Sequence, residues 1–98
     1  MVVEMYIILI YDIQVNDEDN PYVLKKVFNI CKRYLNHIQK SVFEGELSEP
    51  KYLKLKEELF DILREHKDSC IIFKSRNEQW LEKEFLVKED IDKTSNFI

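Results

Sequence analysis

The chain has 98 residues, 45% of them apolar and 35% charged, with a net charge of −4, one glycine and two prolines. These values describe one globular domain and exclude a long disordered linker, a cleft between two domains and, with a single glycine, any glycine-rich phosphate loop or dinucleotide fingerprint. Cys31 and Cys70 lack the paired spacing of a zinc site, so they read as reduced, packed thiols of a cytoplasmic protein.

Met5 to Tyr11 is a β-branched and aromatic run without alternation, the pattern of a central strand buried on both faces or in an interface. It is far shorter than the roughly 20 residues of a membrane helix, and no charged leader with a cleavage site precedes it, so the reading has no membrane partner. Met5 is as sensible a start as Met1. Asp12 ends the run, and the polar stretch Asn16 to Asn20 before Pro21 predicts a loop with an asparagine cap. A helix is predicted from about Tyr22 to Leu35, because Val23, Val27, Ile30 and Tyr34 recur at the spacing of a buried face. Lys25, Lys26, Lys32 and Arg33 share the opposite face.

Ile38 to Leu47 reads as one bent strand or two short ones around Ser41, Val42 and Phe43. Ser48 and Pro50 mark the start of a second helix, with Tyr52, Leu55, Leu59 and Ile62 on its inner face and an end near His66. Ser69 to Lys74 is a further buried strand, and Trp80 to Val87 a weaker strand candidate in a tail from about residue 77. The predicted fold is α/β in composition, a single ferredoxin-like βαββαβ plait over 1–98 with its core at about 5–76: an antiparallel sheet with two helices on one face. Strands apolar on both sides leave the other face in need of cover, which predicts a face-to-face homodimer.

Charge is unevenly placed. From Asn20 to Phe43 there are five basic residues, Lys25, Lys26, Lys32, Arg33 and Lys40, and no acidic one, against ten basic and nineteen acidic residues elsewhere. A dimer can thus present a basic face to nucleic acid while the protein stays acidic. His37 and His66 have no visible orienting partner, and a surface or hydrogen-bonding role is the simpler reading of each. Asp12 either accepts backbone hydrogen bonds as a turn residue or, doubled by a two-fold axis, gives the facing carboxylates that Mg2+ takes with waters and a substrate phosphate.

Tyr11-Asp12-Ile13, followed by Arg33-Tyr34-Leu35-Asn36-His37-Ile38-Gln39-Lys40-Ser41-Val42-Phe43-Glu44-Gly45-Glu46-Leu47, resembles the CRISPR-associated Cas2 family. The second string is the specific one, and the similarity covers about Met5 to Phe73. The resemblance implies ferredoxin-like homodimers in which a late strand joins the partner's sheet, the role that Trp80 to Val87 would fill. It implies CRISPR adaptation (spacer acquisition) beside the integrase Cas1, and a metal-dependent endonuclease activity on single-stranded RNA or double-stranded DNA. It also implies that Asp12 is the catalytic and Mg2+ (or Mn2+) binding residue, with Tyr11, Ser41 and Phe43 flanking the site or packing in the interface. His37 stands where some members carry arginine, and the loop after Asp12 has no arginine, which weakens the nuclease reading because fewer cations would meet the transition state. Lys25, Lys26, Lys32, Arg33 and Lys40 remain for the phosphate backbone. The alternatives are a non-catalytic scaffold of the integrase complex, a toxin-like ribonuclease on the same plait, and a plait-type regulatory binding module.

Overall fold

The computed structural model describes residues 4–15, 21–77, 79 and 81–87. Strand β1 spans Glu4–Ile13, helix α1 Tyr22–Tyr34, β2 Asn36–Gln39, β3 Val42–Ser48, helix α2 Glu49–Ile62 and β4 Asp68–Ser75. All pairings are antiparallel and the sheet order is β2-β3-β1-β4, so the predicted βαββαβ plait is the fold. This order makes β1 a central strand and β4 an edge.

Strand period divides β1 between two faces. Ile7, Leu9, Tyr11 and Ile13 are buried under the helices, where Val27, Ile30 and Cys31 of α1 and Leu55 and Leu59 of α2 meet them and Phe43. Truncating a fully enclosed side chain such as Leu9 or Phe43 to alanine removes about 2–5 kcal/mol of stability. The other face carries Ile8, Ile10 and Asp12 with Ile71 and Phe73 of β4, and no helix covers it. Ile10, Ile71 and Phe73 are 38%, 50% and 54% exposed. The predicted bare apolar face is therefore present, and β4 is half-exposed rather than buried as its sequence suggested. Tyr6 lies on this face yet is 3% exposed; its hydroxyl donates to Glu44, which also accepts a hydrogen bond from Lys83 of the tail.

Gly45 has a packing reason. It lies opposite Ile7 on the helix face, and a Cβ there would stand 3.0 Å from the Leu35 side chain, so the end of α1 can settle close to β3.

Three boundaries differ from the sequence reading. Pro21 itself occupies the cap position of α1, without a side-chain cap, and the asparagine cap expected within 16–20 lies outside the described residues. Helix α2 stops at Ile62, four residues before His66, because the Arg64 backbone N–H donates to the Asp68 carboxylate instead of continuing the helical ladder. The expected late strand is not formed within the chain: Trp80 lies outside the described residues, and Leu81–Val87 is exposed and irregular. A strand exists only by pairing with an edge, and this segment pairs with neither edge of its own sheet. No helix among the described residues is long and apolar enough to cross a membrane.

Candidate nucleic-acid site at the end of the first strand

One end of the sheet gathers the chemistry. Strands β1 and β2 run toward it, so it holds the end of β1, the β2–β3 turn at Lys40 and Ser41, the first turn of α1 and the start of β4. The turn is docked on β1 by the Tyr11 N–H, which donates to the Ser41 carbonyl at 3.1 Å. Lys40 adopts φ +29°, a left-handed conformation uncommon for a side chain with a Cβ, and its carbonyl is held at 2.8 Å by the His37 ring Nε2. Since a carbonyl only accepts, Nε2 carries the proton.

Asp12 is exposed on the open face, and Ser69 of β4 is its cross-strand partner. Directly opposed residues carry their Cβ atoms about 4.5–5.5 Å apart, so carboxylate and hydroxyl are neighbours. Tyr11 faces the other way. It is buried in the helix-side core, with its ring stacked on Phe43 at a centroid distance of 6.0 Å. Its hydroxyl has no hydrogen-bond partner among the described residues. Burial, then the nearby Cys31 and Cys70, push the phenol far above its ordinary range, so it stays neutral. His37 is likewise buried, stacked on Phe43 at 4.8 Å and edge-on to Phe28 at 5.0 Å. Phe43 is wholly enclosed. Of the residues expected to flank Asp12, only Ser41 thus lies at the same end without being sealed in the core. Both cysteines are free, and burial pushes Cys70 up to about 11.

The basic set divides. Lys25, Lys26 and Lys40 are exposed at the Asp12 end, whereas Lys32 and Arg33 sit in the last turn of α1 at the far end. Arg33 is engaged: it pairs with Glu58 of α2, which also accepts from the Tyr34 hydroxyl. The Tyr34 hydrogen bond and then the Arg33 guanidinium hold the Glu58 carboxyl below the usual range, so the pair stays charged at neutral pH. Sequence reading missed Ser69, since its nearness to Asp12 depends on strand register. It missed the Arg64–Asp68 pair too, whose four-residue spacing is that of any solvated helix pair.

Among the described residues, no three His, Cys, Asp or Glu side chains gather as a cation site. One chain offers a carboxylate with a hydroxyl beside it; two chains brought together on the open face would offer two of each. Such hard oxygen donors fit Mg2+, which binds through one or two carboxylates and fills its remaining positions with water and phosphate oxygens.

The fold and site define a class: a ferredoxin-like plait with an uncovered apolar sheet face and one acidic residue exposed at the end of its first strand. Comparison with known proteins narrows the class to a family. The family described as CRISPR associated protein Cas2 matches residues 5–83. A Fusobacterium nucleatum protein named CRISPR-associated endoribonuclease Cas2 is 54% identical over 95 residues, covering 97% of this chain and 88% of the relative. A Moorella thermoacetica protein named CRISPR-associated endoribonuclease Cas2 2 is 41% identical, covering 93% and 99%. Among solved structures, one described as a crystal structure of Cas2 superposes with a TM-score of 0.74 at 32% identity over 90% of this chain and 91% of the other. Streptococcus pyogenes Cas2 gives 0.65 at 25% identity over 82% and 99%. The chain belongs to the Cas2 family.

Proposed function

We propose that the protein acts in CRISPR adaptation (spacer acquisition) as a cytoplasmic, nucleic-acid-binding homodimer and is a metal-dependent endonuclease, with Asp12 of each copy holding a shared Mg2+ for which Mn2+ can substitute. The carrying observation is the placement of Asp12: exposed at the strand end, beside Ser69, on the face whose apolar residues Ile10, Ile71 and Phe73 call for a second copy. The names of the relatives support the nuclease part of the reading.

In this reading the two open faces meet and the late segment ending at Val87 of each copy adds a strand to the other's sheet. The two Asp12 carboxylates then come together at the dimer axis, oriented by the ladder that pairs Asp12 with Ser69. The bound metal would supply a nucleophilic water and offset charge on the scissile phosphodiester. Lys25, Lys26 and Lys40 hold the backbone of double-stranded DNA or single-stranded RNA at the same end without reading bases. The partner in adaptation is the integrase Cas1.

The absence of arginine from the loop after Asp12, and the engagement of Arg33 by Glu58, favour as the second reading a scaffold that binds DNA beside Cas1 without cutting it. Cleavage of labelled duplex DNA and single-stranded RNA by wild type and Asp12→Ala, in Mg2+, Mn2+ or chelator, separates the two. Cutting that requires both metal and Asp12 supports the nuclease. Salt-sensitive binding without cutting, indifferent to Asp12→Ala, supports the scaffold.

A further inference from the structure

Just past the Asp12–Ser69 pair, β1 and β4 part at Ile13 and Asp68, the last pair of their ladder. The end of a ladder beside a loop is where strands ordinarily fray. Here it is fastened. Asp68, whose side chain is 1% exposed, accepts from Arg64 Nε and Nη2 at 3.0 Å each and from the Arg64 backbone N–H at 2.8 Å. Its Oδ1 also accepts the Gln14 backbone N–H at 3.2 Å, and Arg64 Nη2 donates to the Gln14 carbonyl at 2.7 Å. Both backbone groups of Gln14, two residues beyond Asp12, are therefore gripped by one ion pair.

An exposed ion pair holding only itself contributes little. This one is buried on its acidic side, and its planar guanidinium fork leaves a donor for the backbone just past the end of β1. We infer that Arg64 and Asp68 are positioning residues, a clamp that fixes the direction in which β1 presents Asp12 and β4 presents Ser69. The inference rests on the reading of Asp12 as a metal ligand. Lysine at position 64 would keep the charge but could not reach both Asp68 oxygens and the Gln14 carbonyl at once.

The experiment uses the full chain with Mn2+ alone as the probe. It compares wild type, Arg64→Lys, Arg64→Met, Asp68→Asn and Asp12→Ala for Mn2+ affinity, Gln14 amide exchange and, in Mn2+, the kcat and KM of nucleic-acid cleavage. In the clamp variants the Gln14 amide exchanges faster and Mn2+ affinity drops about tenfold, as for the loss of an outer partner of a metal ligand. The kcat falls with KM unchanged, and Arg64→Lys loses less than Arg64→Met. Arg64→Lys decides the matter if Asp68→Asn fails to fold. Wild-type Mn2+ affinity in Arg64→Lys and Arg64→Met, while Asp12→Ala has lost it, overturns the clamp and leaves the Asp12 reading standing. Wild-type Mn2+ affinity in Asp12→Ala overturns both.

Discussion

Tyr11 and Asp12 are adjacent in the chain and stand on opposite faces of the sheet: the tyrosine is sealed under the helices and the aspartate is exposed on the open side. Whatever Asp12 does, Tyr11 does not share it through its hydroxyl. A buried hydroxyl without a partner costs about 1–3 kcal/mol. Tyr11→Phe keeps the ring on Phe43 and removes that cost, so it is expected to stabilise the protein by about 1 kcal/mol, or roughly 4–8 °C in melting temperature for a domain of this size. Cleavage and DNA binding are expected to be unchanged. A thermal melt with a parallel cleavage assay checks both, and a destabilised Tyr11→Phe would mean that the hydroxyl has a partner.

The basic residues differ in availability. Lys25, Lys26 and Lys40 stand at the Asp12 end, while Arg33 is held by Glu58. Replacing any of the three lysines by alanine is expected to make the slope of log K against log salt less negative by about 0.9 on duplex DNA. Arg33→Ala should change it less, and Glu58→Gln, which loosens Arg33, should raise affinity. Binding measured by fluorescence anisotropy across a salt series gives all five slopes, and a larger loss for Arg33→Ala than for Lys25→Ala would refute the ranking.

Most of the architecture is legible in the sequence because its signals are local. Met5 to Tyr11, the helical spacing from Val23 to Tyr34, and Ser48 with Pro50 at the start of α2 each specify an element from residues a few positions apart. The site is less legible because it depends on register and facing. Tyr11-Asp12 reads as one motif, yet strand period sends its members to opposite sides. Phe43 and His37 read as flanking residues, yet Phe43 faces the helices and His37 stacks on it. The tail is a third case: Trp80 to Val87 has strand-like residues, yet Leu81–Val87 pairs with neither edge of its own sheet.

The open face carries its own test. Ile71 and Phe73 are exposed side by side on β4, opposite Ile10 and Ile8. If a second copy covers them, Phe73→Asp or Ile71→Asp places an unpaired carboxylate in an apolar contact, where charge burial is costly. Both variants are expected to shift the protein to monomer in sedimentation velocity at concentrations where wild type is dimeric, and to lose cleavage with the dimer. Phe60→Asp on the outer side of α2, more exposed than either and away from that face, is the control expected to leave the mass unchanged. Dimeric Phe73→Asp and Ile71→Asp would place the contact elsewhere.

The Asp68 carboxyl gives the pH dependence. Its burial alone would raise its pKa, but hydrogen bonds from the Arg64 side chain, the Arg64 and Gln14 backbone N–H groups and the Arg64 charge outweigh that and hold it below its ordinary value of 3.8. A carboxyl depressed in the folded state binds its proton more readily when unfolded, so its stabilisation is complete above that ordinary, unfolded value and is lost as pH falls toward and through the lower folded one. Asp68→Asn removes a buried charge that accepts from the Arg64 side chain and from two backbone N–H groups, and is expected to cost about 3 kcal/mol at neutral pH. The gap between wild type and Asp68→Asn should therefore be constant from pH 8 to 5 and shrink below pH 4, because acid protonates Asp68 and makes wild type resemble the variant. Denaturant unfolding of both proteins across that range checks the sign. A gap that closes on going alkaline instead would remove Asp68 as its source.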